Sequence, residues 1–159
     1  MKVNYLRLII ALAIPQVAGL LGSIANINSL DAWYETLNKP GFNPPNWIFA
    51  PVWILLFILM GLALYLVWQK KNWFNVKKID SALIFFIFQL VLNIVWSWLF
   101  FYFQSPKAAF VEILVLLGSI IWNIFLFYKI DKKAGLLLLP YALWVSFAAV
   151  LNWIFVILN

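Results

Sequence analysis

The chain contains no cysteine and no histidine. Disulfides, thiolate nucleophiles, the usual zinc sites and histidine general bases are excluded together. For haem iron, only tyrosine and methionine side chains remain as ligands. Carboxylates are nearly as scarce: Asp31, Glu35, Asp80, Glu112 and Asp131 are the only five, and four of them fall in loops or at predicted helix ends. An ion- or proton-coupled transporter normally needs several charges within the membrane, so that class is disfavoured. No acid–base pair or nucleophile constellation supports hydrolysis. No catalytic residue, metal site or resident cofactor is expected.

What the chain has instead is apolar bulk rich in tryptophan. Hydrophobic residues make up 67% of the 159 positions and charged residues 10%, whereas a soluble domain is nearer half apolar and about a quarter charged. A core of this size cannot hide so much apolar surface from water, so lipid must cover the rest. The apolar residues fall into five blocks, read as membrane-spanning helices over about 5–25, 47–69, 79–103, 107–128 and 134–157. Each is long enough to cross a hydrocarbon core of about 30 Å. Helices are required because lipid cannot satisfy a loose backbone, and the blocks lack the dyad alternation of membrane barrels. The expectation is an all-α membrane protein, a single five-helix bundle over 1–159. Lys2 and Arg7 before an apolar run, with the triplet Ser23-Ile24-Ala25, resemble a signal peptide; the segment is read as a retained first helix.

Basic residues orient the bundle. Lys2, Arg7, Lys70, Lys71, Lys77, Lys78, Lys129, Lys132 and Lys133 share one side, and only Lys39 and Lys107 lie on the other. The positive-inside rule then predicts a multi-pass protein of the cell membrane with its N-terminus inside. The formal charge of +6 is explained by these flanks rather than by nucleic-acid binding. Trp47 and Trp68 lie about 32 Å apart along helix two, the spacing of an aromatic belt at each interface.

The connection over 27–46 is long for a compact bundle. It reads DAWYETLNKPGFNPPN from Asp31. Asp31 can cap a short helix through Glu35 and Leu37, and Pro40 would stop it. With Pro44 and Pro45 stiffening its second half, the segment reads as an extramembrane lid, with a simple tether as the bland alternative.

Within the bilayer, Gln89, Asn93, Trp96 and Ser97 share one face of helix three, and Trp144, Ala148 and Asn152 one face of helix five. Amides facing lipid are costly, so these faces should turn inward. Trp53, Trp96, Trp122 and Trp144 all lie away from helix ends. For Asn93, Trp53, Trp96 and Trp144, a pocket for a flat apolar ligand is the favoured reading. For Asn123 and Asn152, structural bonding between helices weighs equally. Ala11, Ala18, Gly19 and Gly22 permit close contact of helix one, either within the bundle or in a homodimer. Pro15 is expected to kink that helix. Glu112, more than a turn into helix four, is read as snorkelling to the interface, with pairing to a pocket amide as the alternative.

Several of these stretches carry a family resemblance over nearly the whole chain. WYETLNKPGFNPPNWIFAPVW (33–53), MGLALYLVW (60–68), QLVLNIVWSWLFF (89–101) and LLLLPYALWVSFAAVLN (136–152) occur in the order found in the TspO/translocator-protein family, also called the tryptophan-rich sensory or peripheral-type benzodiazepine receptor family. The resemblance implies a five-helix bundle that binds porphyrins and synthetic aromatic amides in a pocket beneath the first long loop. Carried over by motif, Tyr34 would face the ligand from the lid, Trp53 and Phe57 from helix two, Asn93, Trp96 and Ser97 from helix three, and Trp144, Phe147 and Ala148 from helix five. The partners implied are a porphyrin or other planar hydrophobic ligand and membrane lipid, with the protein acting as carrier or sensor. Light-dependent porphyrin degradation involving the pocket tryptophans, or a partner-binding scaffold, are the alternatives. The animal members' sterol motif at the end of helix five is missing, since no Lys or Arg follows Lys133. Its loose form around Tyr5, Tyr34, Tyr65, Tyr102 and Tyr128 is too common in this chain to mean sterol binding.

Overall fold

The computed structural model describes residues 3–27, 29, 32–70 and 76–159. Among them, five helical spans long and apolar enough to cross a membrane run over Tyr5–Asn26, Asn46–Gln69, Ile79–Tyr102, Pro106–Ile130 and Lys132–Leu158. The protein is thus a multi-pass helical membrane protein. The expected cap at Asp31 lies outside the described residues, as do Lys2 and Lys71 of the charge bias.

Local chemistry sets most helix ends. Helix α1 (Tyr5–Ser23) starts where the Asn4 side chain accepts the Arg7 N–H at 3.0 Å, and a short 3-10 turn (Ile24–Asn26) tightens its far end. The connection then forms one turn, α2 (Trp33–Thr36), which ends at extended Leu37 before Pro40 is reached. Helix α3 (Asn46–Gln69) begins directly after Pro44 and Pro45; its internal Pro51 leaves the Trp47 carbonyl without a helical donor, next to an end where water is available. Helix α4 (Val76–Ser97) widens into a π-helical segment (Trp98–Tyr102), closed by Phe103 N–H donating to the Trp98 carbonyl at 2.9 Å. Helix α5 (Pro106–Ile130) has proline at its tolerant first position.

The fifth span departs from the single helix expected over 134–157. It is broken into α6 (Lys132–Leu137) and α7 (Leu139–Leu158). Pro140 is the cause, because it has no N–H to continue the ladder and crowds the preceding turn. At the span's start, Asp131 caps α6 by accepting the N–H groups of Lys133 and Ala134, and its other oxygen lies 3.7 Å from Lys70 Nζ.

Helix α1 runs without a break through Pro15, which is buried together with Ala11, Ala18 and Gly22. Pro15 leaves the Ala11 carbonyl without its usual donor. Gly61 of α3 sits against that carbonyl: a Cβ added there would lie 2.8 Å from both the Ala11 oxygen and the Leu12 Cα. The small residues of α1 therefore serve close packing within the bundle.

Two buried clusters result. The larger gathers Met60, Ala63, Val67, Ile79, Phe86, Leu116, Ile120, Phe127, Tyr141 and Val145 in the body of the bundle. The smaller gathers Tyr34, Phe100, Ala109, Leu151 and Phe155 at the end covered by α2. Trp96 packs against both. Outward-facing side chains such as Leu6, Ile9, Leu20, Ile54, Ile84, Val111, Leu143 and Ile157 remain exposed, as a lipid-facing surface requires.

Candidate functional site

Where the two clusters fail to merge, a cavity of about 240 Å³ remains. Its body-side wall includes Trp53 and Phe57 of α3, stacked at 5.4 Å between centroids. Trp53 also meets the Tyr141 ring edge-on at 6.2 Å. Helix α4 contributes Asn93, Trp96 and Ser97, and α7 contributes Trp144, Ala148, Leu151, Asn152 and Phe155. Phe100 and Phe101, neighbours within the π segment, both line the cavity. Glycines 19 and 22 of α1 form the remaining side, where a Cβ at Gly19 would collide with the Phe57 ring.

The polar groups are held by bonds across helices. Asn93 Nδ2 donates to the Tyr141 hydroxyl at 3.1 Å. Trp96 Nε1 donates to Asn152 Oδ1 at 3.1 Å, and Asn152 Nδ2 donates to the Pro106 carbonyl at 2.8 Å. Asn152 thus both lines the cavity and ties three spans together, so the two readings of this residue coexist. Asn123 is structural: it lies outside the cavity lining and donates to the Ala82 carbonyl at 3.1 Å.

Tyr34, from the connection between α1 and α3, covers one end of the cavity, and the described residues around it form a roof there. Tyr34 is buried, with its ring 5.9 Å from Phe101 and 5.7 Å from Phe155. Its hydroxyl donates to Asn43 Oδ1 at 3.1 Å, its backbone N–H to the Ser29 carbonyl at 2.8 Å, and Ser29 Oγ to the Phe101 carbonyl at 2.7 Å. Burial pushes the phenol's pKa up, only partly opposed by the Asn43 bond. Asn38 and Asn159 exchange bonds across the roof's outer edge at 2.9 and 3.3 Å. Lys39 lies over the Tyr34 ring at 4.5 Å and pairs with Glu35 at 2.7 Å; Glu35 in turn accepts from Asn46 at 2.9 Å.

These two bonds, that from Lys39 first, hold the Glu35 carboxyl below its ordinary value of 4.5. A depressed carboxylate stabilises the fold above its unfolded pKa and loses that contribution as pH falls through the folded one. Acidification below about pH 4.5 should therefore loosen the roof, visible as faster proteolysis within 35–43. Glu35→Gln should show the loosened pattern already at neutral pH and little further change on acidification; an acid response as large as that of the unmodified chain would assign the effect to another group. Glu35 is solvent-exposed, which keeps the effect on global stability small.

Eight of the nine residues expected to form a site line this one cavity: Tyr34, Trp53, Phe57, Asn93, Trp96, Ser97, Trp144 and Ala148. Phe147 does not; it packs on Trp144 at 5.6 Å and on Phe42 at 6.3 Å, supporting an indole that does. Gln89 lies deeper on the same face of α4, buried and with neither amide atom hydrogen-bonded. Trp122 faces lipid beside Phe85 and Phe125. Glu112 does not reach the interface: both carboxylate oxygens are buried without a hydrogen-bond partner. It sits about 9 Å along α5 from the helix start, farther than its side chain spans. Sequence reasoning missed Ser23, Asn26, Asn46, Phe49, Ala50, Phe100, Phe101, Leu151 and Phe155 as lining residues, and read Gly19 and Gly22 for helix contact alone. Asn46, Phe49 and Ala50 lie within the family-like 33–53 run, Phe100 and Phe101 end the 89–101 run and Leu151 lies in the 136–152 run, whereas Ser23, Asn26 and Phe155 fall outside every such run.

Known proteins match the chain along its length. The profile of the TspO/MBR family covers residues 11–158. The tryptophan-rich protein TspO of Archaeoglobus fulgidus is 40% identical over 98% of this chain and 99% of its own length. The translocator protein of Ovis aries is 35% identical over 88% of this chain and 82% of its own. The tryptophan-rich sensory protein of Cereibacter sphaeroides is 34% identical over 77% and 74%.

Proposed function

The chain belongs to the TspO/MBR family, and from that premise we propose that it is a membrane receptor for a planar tetrapyrrole, acting as carrier or sensor. The observation that carries the proposal is the convergence of three indoles, Trp53, Trp96 and Trp144, with four amides, Asn26, Asn46, Asn93 and Asn152, on one cavity. Rings of this kind offer large flat contact, and a few fixed amides orient the guest. Polar substituents at the rim of a macrocycle would lie toward Asn26 and Asn46, close to Lys39. Relatives carry the words translocator and sensory in their names, and holding a guest is the step that carriage and sensing have in common.

The present volume of about 240 Å³ lies below the roughly 300–1,000 Å³ of drug-sized sites. Occupancy therefore requires the half-buried indoles to shift, and binding should alter tryptophan fluorescence. The bias of basic residues toward the Arg7 and Lys129 end supports an N-terminus inside and a cavity near the outer face of the cell membrane.

Trp53→Phe combined with Trp144→Phe trims two walls while keeping them aromatic. The double variant should bind protoporphyrin about tenfold more weakly in an absorbance titration, from about 0.7 kcal/mol per lost indole contact. The lipid-facing control Trp122→Phe should leave affinity unaltered. Equal affinity for all three proteins would remove the cavity as the binding site.

A further inference from the structure

The cavity has a mouth, and it opens sideways. Among the described lining residues, only Ser23, Asn46 and Ala50 are exposed. All three belong to one seam, between the last turns of α1 and the first turns of α3. Elsewhere no described lining residue is exposed: Trp53, Phe101, Trp144 and Ala148 are half-buried, and Tyr34, Phe100, Leu151, Asn152 and Phe155 are buried. Farther along the seam the two helices seal again, where Gln16 Nε2 donates to the Ile54 carbonyl at 3.3 Å, Phe57 fills the space opposite Gly19, and Gly61 meets the α1 backbone.

The roof is the less permissive route. Passage through it means lifting buried Tyr34 off three aromatic neighbours and breaking its bonds to Asn43 and Ser29. The bonds joining Asn38 to Asn159 and Leu158 would have to open as well. Among the described residues, no hydrogen bond joins residues 23–26 to residues 46–50 across the mouth, where Asn46 donates instead to Glu35. The helix surfaces on either side of the seam are lipid-facing, with Leu20 and Leu21 on α1, Ile24 at the start of the 3-10 turn, and Trp47, Ile54 and Leu55 on α3 all exposed.

We infer that the ligand is taken up from the bilayer, passing between the Ser23 and Ala50 edges of α1 and α3, while the roof stays fastened. This rests on the ligand-holding reading above and adds to it the source and chemistry of the guest: an amphiphile already dissolved in the membrane, entering apolar face first. Its polar edge trails at the mouth, where Asn26 Oδ1 is buried without a donor and Asn46 sits beside Glu35. A guest of that kind leaves its charged rim near the interface, where solvation is retained.

The cysteine-free chain permits a direct test with protoporphyrin as probe. Ser23→Cys and Ala50→Cys change exposed positions, so the fold should tolerate them. With a bulky maleimide attached at either, association in lipid vesicles should slow at least tenfold relative to the same variant unlabelled. Asn38→Cys with Asn159→Cys, joined by a short bis-maleimide to fasten the roof, should leave the rate unchanged. Unslowed uptake in the mouth-labelled proteins, or strong slowing by the roof crosslink alone, overturns the lateral route while leaving the binding reading intact. Absence of saturable uptake by the unmodified protein overturns the binding reading, and this inference with it.

Discussion

Replacing Gly61 with leucine should destabilise the bundle by on the order of 3 kcal/mol or more, the largest effect expected of any single change considered. The reason is a contact between backbones. An added Cβ would lie 2.8 Å from the Ala11 carbonyl oxygen and 2.8 Å from the Leu12 Cα, both in the main chain of α1. Side chains can rotate away from an intruder, but a helix backbone cannot, so α1 must move as a body. Close approach through small residues is how membrane helices gain packing where no hydrophobic force drives them together. Displacement of α1 would also spoil the Gly19 and Gly22 side of the cavity, so ligand affinity should fall with stability. Gly61→Ala should give a smaller loss in the same direction. Gly118, with nothing within 4 Å of an added Cβ, is the control: Gly118→Ala should be neutral or slightly stabilising, as helix propensity alone predicts. Thermal unfolding in detergent would rank the four proteins. Similar midpoints for Gly61→Leu and the unmodified chain would mean that α1 and α3 do not pack as described.

Asn152→Leu should cost about 2 kcal/mol and weaken ligand binding as well. The side chain is 1% exposed and makes two bonds, accepting from Trp96 and donating to the Pro106 carbonyl. An average interhelical bond in a membrane protein contributes only about 0.6 kcal/mol. Here one substitution leaves a donor and an acceptor unpaired away from water, and an unsatisfied buried group costs about 1–3 kcal/mol. The freed indole of Trp96, stacked on Phe100 at 5.4 Å, would lose its fixed orientation at the cavity wall. Removing the donor too, in Trp96→Phe with Asn152→Leu, should recover part of the stability but none of the affinity. Recovery of stability and affinity together would contradict a role for Trp96 in the wall. No loss of either in the single variant would show that water or lipid replaces the bonds.

Membrane helices, their number and their approximate ends were legible because lipid imposes a length and forbids unpaired backbone. The polar stripe of Asn93, Trp96 and Ser97 was legible for the same reason: in hydrocarbon an amide is costly unless it turns inward. Glu112 shows the reach of such reasoning, since its inward placement depends on how far α5 extends beyond it rather than on residue type. The break at Leu138 could have been read from Pro140, whose missing N–H interrupts a continuous fifth helix.

Composition and periodicity alone determined a five-span helical protein with aromatic and amide faces directed inward, because hydrocarbon solvent leaves a chain few other solutions. Only the tertiary structure decided where those faces leave a gap. The neighbouring Phe100 and Phe101 of the π segment both came to line the cavity, and the pairing of Gly61 with the Ala11 carbonyl set how closely α1 and α3 lie before they part at the mouth. Voids and openings depend on the mutual placement of elements distant in sequence, and no local pattern encodes that placement.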